Sequence, residues 1–343
     1  MKRKLLVFVL VVVAITVAAA GWLWSDYQRF TRQSLPLEQD EVFVLARGTG
    51  FAGLQKQLKA REWVTNKHYF RLLARQTGLG RKLKAGEYKI PQGVTPQGLL
   101  EILASGRSIQ HRVTLIEGSR FSELRAQLLA DARLTHPLAA LDDKALLAQL
   151  KLDYSHPEGL FMAETYQFQR GDSDLSILKR AHDLLDKKLT EAWQQRTDKK
   201  SYAEPYHALI MASIIEKETG QPHERPQIAG VFARRLAKGM RLQTDPTVIY
   251  GMGDAYKGNI TRADLRRPTP YNTYTIRGLP PTPIATVGLE AIQAALNPAA
   301  GKSLYFVARG DGSHVFSATL KQHNRAVREY QLKRRKDYRT TPE

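Results

Sequence analysis

The sequence predicts an α+β protein with an N-terminal transmembrane helix, a small α+β subdomain and a larger mixed α/β domain. The first supporting observation is an uncharged run of 20 residues, Leu5 to Trp24. The second is a strand–turn–helix pattern that occurs twice within residues 43–128. The third is a change near residue 150, after which longer helical patterns precede loops rich in Gly, Pro, Thr and Tyr.

These observations divide the chain into six segments. They are a cytoplasmic N-terminus (1–4), a transmembrane anchor (5–24), a polar linker (25–40), a subdomain with a connecting α+β region (41–150), a larger mixed α/β domain (151–335) and a basic tail (336–343).

Composition narrows the classes of function. Of 343 residues, 43% are hydrophobic, which is typical of a globular protein. The net charge of +19 favours an anionic partner, such as nucleic acid, anionic lipid or an acidic polymer. Cysteine is absent, which excludes a disulfide framework, a thiolate nucleophile and a lipid-modified cysteine.

The apolar run is long enough to cross a hydrocarbon core of roughly 30 Å. Trp22, Trp24 and Tyr27 follow where an interfacial aromatic belt would lie. A cleaved signal peptide is the alternative, because residues 18–20 are three alanines. The run continues through Leu23, which favours an uncleaved anchor.

The basic residues before the run indicate the orientation. Lys2, Arg3 and Lys4 predict a cytoplasmic N-terminus, so a single-pass inner-membrane protein would carry its larger domain in the periplasm. This location argues against nucleic acid as the anionic partner, and the sequence contains no nucleic-acid-binding signature.

The repeat aligns residues 43–58 with 113–128 without gaps. Each copy predicts a strand, a glycine turn and a helix with Phe and Leu three residues apart. Between them, Thr95 is a predicted N-cap with Pro96 in the first turn of another helix. Such units resemble LysM-type carbohydrate-binding modules, and a structural spacer is the alternative.

The stretch MASIIEKETG (211–220) places two glutamates on one apolar helix. With about 100° per residue, Glu218 lies within the stripe of Met211, Ile214 and Ile215, whereas Glu216 points about 160° away from Glu218. Apolar surroundings raise the pKa of a carboxyl group, and a protonated carboxyl can act as a general acid. Glu218 is therefore the candidate, unless it lies in solvent or pairs with a buried Lys or Arg.

Loops after this helix supply candidate sugar-binding groups, because rings can cover apolar sugar faces while amides and hydroxyls bind sugar hydroxyls. These candidates are Gln243, Asp245, Tyr271, Asn272 and Tyr274.

The segments ASIIEKET (212–219), RLQTDPTVIYGMG (241–253), YNTYTIRGLPPTPI (271–284), NP (297–298) and LYFVA (304–308) resemble the YceG-like family of endolytic murein transglycosylases. The resemblance covers essentially the whole chain. It implies a carbon–oxygen lyase that cleaves nascent peptidoglycan strands between N-acetylmuramic acid and N-acetylglucosamine, leaves 1,6-anhydro ends and limits strand length. It also implies that Glu218 is the catalytic acid.

The resemblance implies no cofactor and no metal, and peptidoglycan synthases are candidate partners. The chain departs from the family at Glu164, where relatives more often carry Asp, so the role of Glu164 is open. The roles of Glu216, His314 and His323 are also open, and each is readily explained as a structural residue. A non-catalytic, membrane-anchored peptidoglycan-binding scaffold is the alternative function.

Overall fold

The computed structural model describes residues 2–197 and 199–332, so the predicted basic tail 336–343 lies outside the described residues. The chain divides into two compact units. Unit 1 consists of Met1–His111 with Phe168–Asp172, and unit 2 consists of Arg112–Gln167 with Ser173–Glu343. The sequence-based division at residue 150 groups residues 112–150 with the smaller subdomain, whereas the division by contacts places them in unit 2.

The N-terminal helix α1 spans Lys2–Arg32 and is the one helix of the described chain that is long and apolar enough to cross a membrane. It extends eight residues beyond the predicted anchor. The predicted polar linker over 25–40 is therefore wrong in part, because residues 25–32 are helical and Tyr27, Leu35 and Leu37 are buried in the core of unit 1. In the sequence these apolar residues stand among polar and charged ones, so the packing of residues 25–40 against unit 1 could not be recognised from the pattern.

Unit 1 continues as β1 (Glu41–Leu45), α2 (Phe51–Ala60), α3 (Lys67–Gln76), β2 (Gly86–Ile90) and α4 (Pro96–Ser105). The two strands pair antiparallel with Phe43 opposite Tyr88, and both rings are fully buried. The predicted start of α4 is confirmed. The Thr95 side chain accepts a hydrogen bond from the Gly98 amide at 3.2 Å, which satisfies one free N–H of the first turn.

The second copy of the repeat forms β3 (His111–Thr114) and α5 (Phe121–Ala130), followed by α6 (Asp143–Leu150) and β4 (Thr165–Phe168). β3 pairs with β4, and the division between the units crosses both strands near their ends. The ring of Phe121 stacks on Phe161 with centroids 5.5 Å apart. Contacts of this kind explain why residues 112–150 group with unit 2.

The rest of unit 2 is mainly helical. Its elements are α7 (Asp174–Gln194), α8 (Pro205–Glu218), α9 (Arg225–Ala237), α10 (Asp245–Met252), α11 (Arg262–Arg266), α12 (Leu289–Leu296), β5 (Tyr305–Ala308), β6 (His314–Ser317) and α13 (Leu320–Val327). The predicted hairpin around residues 310–312 is confirmed, since β5 and β6 pair antiparallel. Helices α10 and α12 were not predicted. The segment of α10 contains Pro246 and Gly251, which obscure the helical period, and α12 is only eight residues long.

Helix α8 forms the centre of unit 2. All eight residues from Ala208 to Ile215 are buried, and α7, α9, α10 and α12 pack around the helix. A helix that is apolar on every side belongs inside a core. The polar residues of α8 are consequently concentrated at its ends, and Glu216 and Glu218 lie in its last turn.

Candidate active site

The two glutamates of α8 contact different groups, as the helical wheel predicts. An oxygen of Glu218 accepts a hydrogen bond from the Thr244 hydroxyl, and the residue is half-buried. The Glu216 side chain is only 3% exposed and binds Arg225 and the Gly288 amide. The Glu218 carboxyl is therefore bonded to a neutral hydroxyl, whereas the Glu216 carboxyl is bonded to a guanidinium and a backbone amide.

Thr244 is held in place by the segment around Thr273. The Gln243 amide donates to the Thr273 carbonyl at 3.2 Å, and the Thr244 amide donates to the Thr273 hydroxyl at 3.0 Å. Thr247 contacts the same hydroxyl at 2.9 Å. Gln243 has a φ of 50°, a left-handed conformation that is uncommon outside glycine. The backbone is thus bent where it presents Thr244 to Glu218.

The surroundings of Glu218 favour its neutral form. Burial raises its pKa from the ordinary value of 4.5 to about 7, and the negative charge of Asp245 acts in the same direction. The Thr244 hydrogen bond and the Arg235 charge oppose this rise. A carboxyl with such a pKa is partly protonated at neutral pH and can both give and take a proton.

Arg235 lies close enough to act on Glu218 electrostatically, but its hydrogen bonds go elsewhere. Its Nε donates to the Leu304 carbonyl at 2.7 Å and its Nη1 to the Leu242 carbonyl at 2.8 Å. Within residues 2–197 and 199–332, Glu218 forms no ion pair with a Lys or Arg. The two structural alternatives for Glu218, full solvent exposure and a buried ion pair, are absent from this part of the chain.

Asp245 and Tyr274 form a second polar pair beside Glu218. The Tyr274 hydroxyl donates to an Asp245 oxygen at 2.6 Å. Burial raises the pKa of Tyr274, so its hydroxyl remains a donor. The exposed Gln243 side chain accepts a weak hydrogen bond from Arg235 at 3.5 Å. The structure therefore brings three of the predicted sugar-binding residues together around Glu218.

Asn272 is placed differently from the sequence-based expectation. Its side-chain nitrogen donates to three carbonyls near the end of α11, including Arg267 at 2.7 Å, and its oxygen accepts from the Tyr274 amide at 2.9 Å. The residue is 1% exposed. These contacts use its amide to fix the loop, so Asn272 supports the site without facing a ligand.

Two other candidate substrate-binding residues, Tyr271 and Glu164, form contacts within the protein. The Tyr271 hydroxyl lies 2.8 Å from that of Thr282, and its ring centroid lies 4.7 Å from that of Tyr250. Glu164 is exposed at the start of β4 and accepts a hydrogen bond from the Thr165 amide. No contact of Glu164 with the residues around Glu218 occurs within the described residues.

The histidines have structural contacts. The His314 ring lies 2.7 Å from the buried carboxylate of Glu224, and His323 stacks on Tyr305 with centroids 5.2 Å apart. Burial lowers the pKa of His323. Over the described ranges, no group of three or more His, Cys, Asp or Glu side chains could hold a metal ion.

The sequence-based reasoning missed Glu158, in the loop before β4. Its side chain accepts hydrogen bonds from the Phe121 amide at 2.9 Å and the Tyr250 hydroxyl at 3.1 Å. The residue is 3% exposed, and burial raises its pKa to about 7. An acidic residue between Pro157 and Gly159 was the available signal, but its partners are distant in sequence.

Glu216 and Arg225 are the buried members of an ionic cluster whose other carboxylates, Glu117 and Glu290, are exposed. Arg225 Nη2 lies 2.8 Å from Glu216 and 3.5 Å from Glu117, and Nη1 contacts Glu290. The Gly288 amide donates to Glu216 at 3.0 Å. Burial raises the pKa of Glu216, although the Gly288 amide and Arg225 oppose this effect. The cluster joins α8 to α9 and the start of α12, which assigns Glu216 a structural role.

Comparison with known proteins identifies similar chains. The model of the YceG-like family matches residues 43–329. An endolytic murein transglycosylase of Bacillus subtilis is 31% identical over 316 residues, which cover 86% of this chain and 87% of that protein. An endolytic murein transglycosylase of Streptococcus pneumoniae strain D39 is 28% identical over 282 residues, which cover 72% of this chain and 51% of that longer protein.

The fold is similar to a solved structure. The crystal structure of a yceG-like protein from Listeria monocytogenes matches with a TM-score of 0.55 and 28% sequence identity. The match covers 84% of this chain and 99% of the Listeria chain.

Proposed function

This chain belongs to the YceG-like family, and from that membership we propose that it is an endolytic lytic transglycosylase of peptidoglycan. The finer part of the proposal is that it cuts nascent glycan strands between N-acetylmuramic acid and N-acetylglucosamine. It forms 1,6-anhydro-muramic acid ends and so limits strand length. In this role it is a carbon–oxygen lyase acting on a polysaccharide.

Glu218 would act first as an acid and then as a base. Its proton passes to the glycosidic oxygen as the bond between that oxygen and C1 of the muramic acid breaks. The resulting carboxylate then takes the proton of the C6 hydroxyl of the same sugar, whose oxygen bonds to C1. No water enters, and Glu218 is protonated again for the next reaction.

A single carboxyl group suffices for this chemistry, because the substrate supplies its own nucleophile. Hydrolytic glycosidases generally need two carboxyl groups. The observation that most directly supports this proposal is the environment of Glu218. The residue is half-buried, it accepts a hydrogen bond from Thr244, and its pKa is raised to about 7. A binding scaffold would not need a carboxyl group in this state.

The neighbours of Glu218 have assigned roles in this proposal. Gln243 and Asp245 are exposed beside Glu218 and would bind sugar hydroxyl or amide groups. The Asp245 carboxylate, held by Tyr274, would also stabilise the positive charge that develops at C1. Thr244 is a positioning residue that orients the Glu218 carboxyl.

Product mass tests the reaction. The full-length chain in detergent would be incubated with purified peptidoglycan, and the released fragments would be analysed by mass spectrometry. We expect fragments that are lighter by one water than hydrolysis products, and no such fragments from Glu218→Gln. Hydrated ends would indicate a hydrolase, and undiminished release by Glu218→Gln would exclude Glu218 as the acid.

The membrane anchor, its orientation, the LysM-like subdomain and the partners belong to the same proposal. Helix α1 would anchor the protein in the inner membrane, with its N-terminus in the cytoplasm and the catalytic domain in the periplasm. Residues 41–150 would form a LysM-like subdomain with a connecting region, and peptidoglycan synthases would be partners. Protease treatment of cells with a permeabilised outer membrane tests the orientation, since an external protease should cleave unit 2.

A further inference from the structure

A pocket of about 560 Å³ lies at the opposite end of α8 from Glu218. It is formed by the start of α8, by α9 and by the loop 278–281, all within unit 2. This volume lies within the range of pockets that bind small molecules in proteins. The main residues of its wall are Glu204, Tyr206, His207, Ile210, Leu236 and Leu279.

The pocket wall combines apolar surfaces with polar edges. Ile210 is buried, and Leu236 and Leu279 are half-buried beside Pro281, so they form an apolar surface. His207 Nε2 lies 3.7 Å from a Glu204 oxygen, and both side chains are accessible. An apolar face bordered by hydrogen-bonding groups suits a sugar ring, which has apolar C–H faces and polar hydroxyl edges.

Tyr206 supplies an aromatic surface. Its ring lies 5.2 Å from that of Tyr154, which is 39% exposed and continues the aromatic surface outward. Burial raises the pKa of Tyr206 to about 12, so its hydroxyl remains a hydrogen-bond donor. Tyrosine is suited to a ligand that presents both an apolar face and polar groups.

The same three elements form the pocket and the surroundings of Glu218. On α8, His207 and Glu218 are 11 residues apart, which places them about 20° apart around the axis and about 16 Å apart along it. On α9, Arg235 acts on Glu218 and Leu236 lines the pocket. The segment from Tyr274 to Pro281 likewise runs from the Glu218 cluster to the pocket.

On the basis of the proposed function, we propose that this pocket binds a sugar residue of the glycan strand several residues away from the cleaved bond. Because residues 208–215 of α8 are buried, the strand would pass over the partly exposed segment from Tyr274 to Pro281 and not along α8 itself, and the separation of the two places corresponds to several sugar units of an extended strand. A strand that reaches both places is held at two points, whereas a short fragment is held only near Glu218. The enzyme would consequently prefer long strands and cut them away from their ends.

A binding experiment with glycan oligomers of increasing length tests this inference. The full-length Glu218→Gln chain in detergent binds stem-free oligomers without turnover, and calorimetry gives the dissociation constants. We expect the affinity to increase once an oligomer is long enough to reach the pocket. Adding Tyr206→Ala should weaken binding of the long oligomer about tenfold and leave the short oligomer unchanged.

Two further variants separate binding from folding. His207→Ala removes a polar wall residue outside the Tyr154 stack and should also weaken only the long oligomer. Gln293→Ala changes a different pocket, lined by α7 and α12, and should have no effect. Equal affinity for all lengths, or no length-dependent loss in both Tyr206→Ala and His207→Ala, would overturn the inference. Turnover of peptidoglycan by the parent chain tests the proposed function separately.

Discussion

Glu218 and Glu216 lie two residues apart in one helical turn, yet their surroundings differ in every contact. Glu218 is half-buried, accepts a hydrogen bond from a hydroxyl and has no ion pair among the described residues. Glu216 is enclosed by Arg225 and the Gly288 amide. Burial raises the pKa of both carboxyl groups. A raised pKa alone therefore does not identify a catalytic acid. Among the described residues both oxygens of Glu216 accept hydrogen bonds, whereas Glu218 accepts one at a single oxygen.

The first prediction concerns catalysis and has the largest expected effect. Glu218→Gln should lower kcat on peptidoglycan by at least about a thousandfold, because it removes the group that donates the proton. Glu216→Gln should change kcat by less than about tenfold, because Glu216 contacts Arg225 and Gly288 and not the partners of Glu218, although the single amide oxygen can replace only one of its two acceptor positions. Release of anhydro-muropeptides measures both. Equal losses in the two variants would remove the distinction between the glutamates.

The second prediction concerns stability. Glu216→Ala removes the most buried carboxylate partner of the buried Arg225 guanidinium, so the free energy of unfolding should fall by about 3–5 kcal/mol. Glu290→Ala removes a partner that is 61% exposed and should cost less than about 1 kcal/mol. Chemical unfolding of the full-length chain in detergent measures both changes. A larger loss from Glu290→Ala would contradict the proposed structural role of Glu216.

The third prediction concerns pH. The reaction begins with protonated Glu218, so the rate should fall as the pH rises above about 7. Asp245→Asn removes a negative charge that raises this pKa, and the fall should move to lower pH. Asp183→Asn, an exposed substitution on α7, should not move it. A profile of kcat against pH for the three proteins gives the result, and an unmoved Asp245→Asn profile would contradict the assignment.

The same pKa has a consequence for stability. The folded-state pKa of Glu218 is raised from 4.5 to about 7, so the folded form binds the proton more tightly than the unfolded form. The stability that this group contributes is present below about 4.5 and is lost as the pH rises through about 7. The Glu218→Gln variant should lack this pH dependence, so its free energy of unfolding should fall less than that of the wild type between pH 4.5 and about 7.

The fourth prediction has the smallest expected effect. Thr244→Val removes the hydroxyl that lowers the pKa of Glu218, so the fall in rate should move to higher pH, opposite to Asp245→Asn. We also expect kcat to fall about threefold to tenfold, because the carboxyl is less firmly oriented. Thr244→Ser keeps the hydroxyl and should match the wild type. A shift to lower pH would show that the hydrogen bond stabilises the neutral form instead.

Local patterns in the sequence predicted several local features correctly. The helical wheel places the two glutamates on different sides of α8, and they have different partners, but α8 is buried on every side, so the choice of Glu218 as the acid stays a prediction. The N-cap at Thr95 and the hairpin of β5 and β6 also depend on neighbouring residues alone. Where the determining interactions are local, the prediction and the structure agree.

Other features depend on contacts between residues far apart in the sequence. Asn272 has the chemistry of a sugar ligand, but the end of α11 uses its amide. Glu158 accepts a hydrogen bond from Tyr250, which lies 92 residues later, and no local sequence pattern links the two residues. Arg225 likewise reaches Glu290 across 65 residues. The sequence shows which groups are available, whereas the fold determines which of them have a free side for a ligand.

Helix α1 has a mechanical consequence. It runs without interruption from Lys2 to Arg32, and Tyr27 on its last turns is part of the core of unit 1. A bilayer that holds residues 5–24 would therefore hold a continuous helix that leads into unit 1 without a flexible joint. Each residue inserted between Trp24 and Tyr27 would rotate unit 1 by about 100° about the axis of α1 and move it by about 1.5 Å along that axis. If a bilayer holds residues 5–24, the rotation of unit 1 about α1 and its height above the lipid are set by the number of residues within this helix.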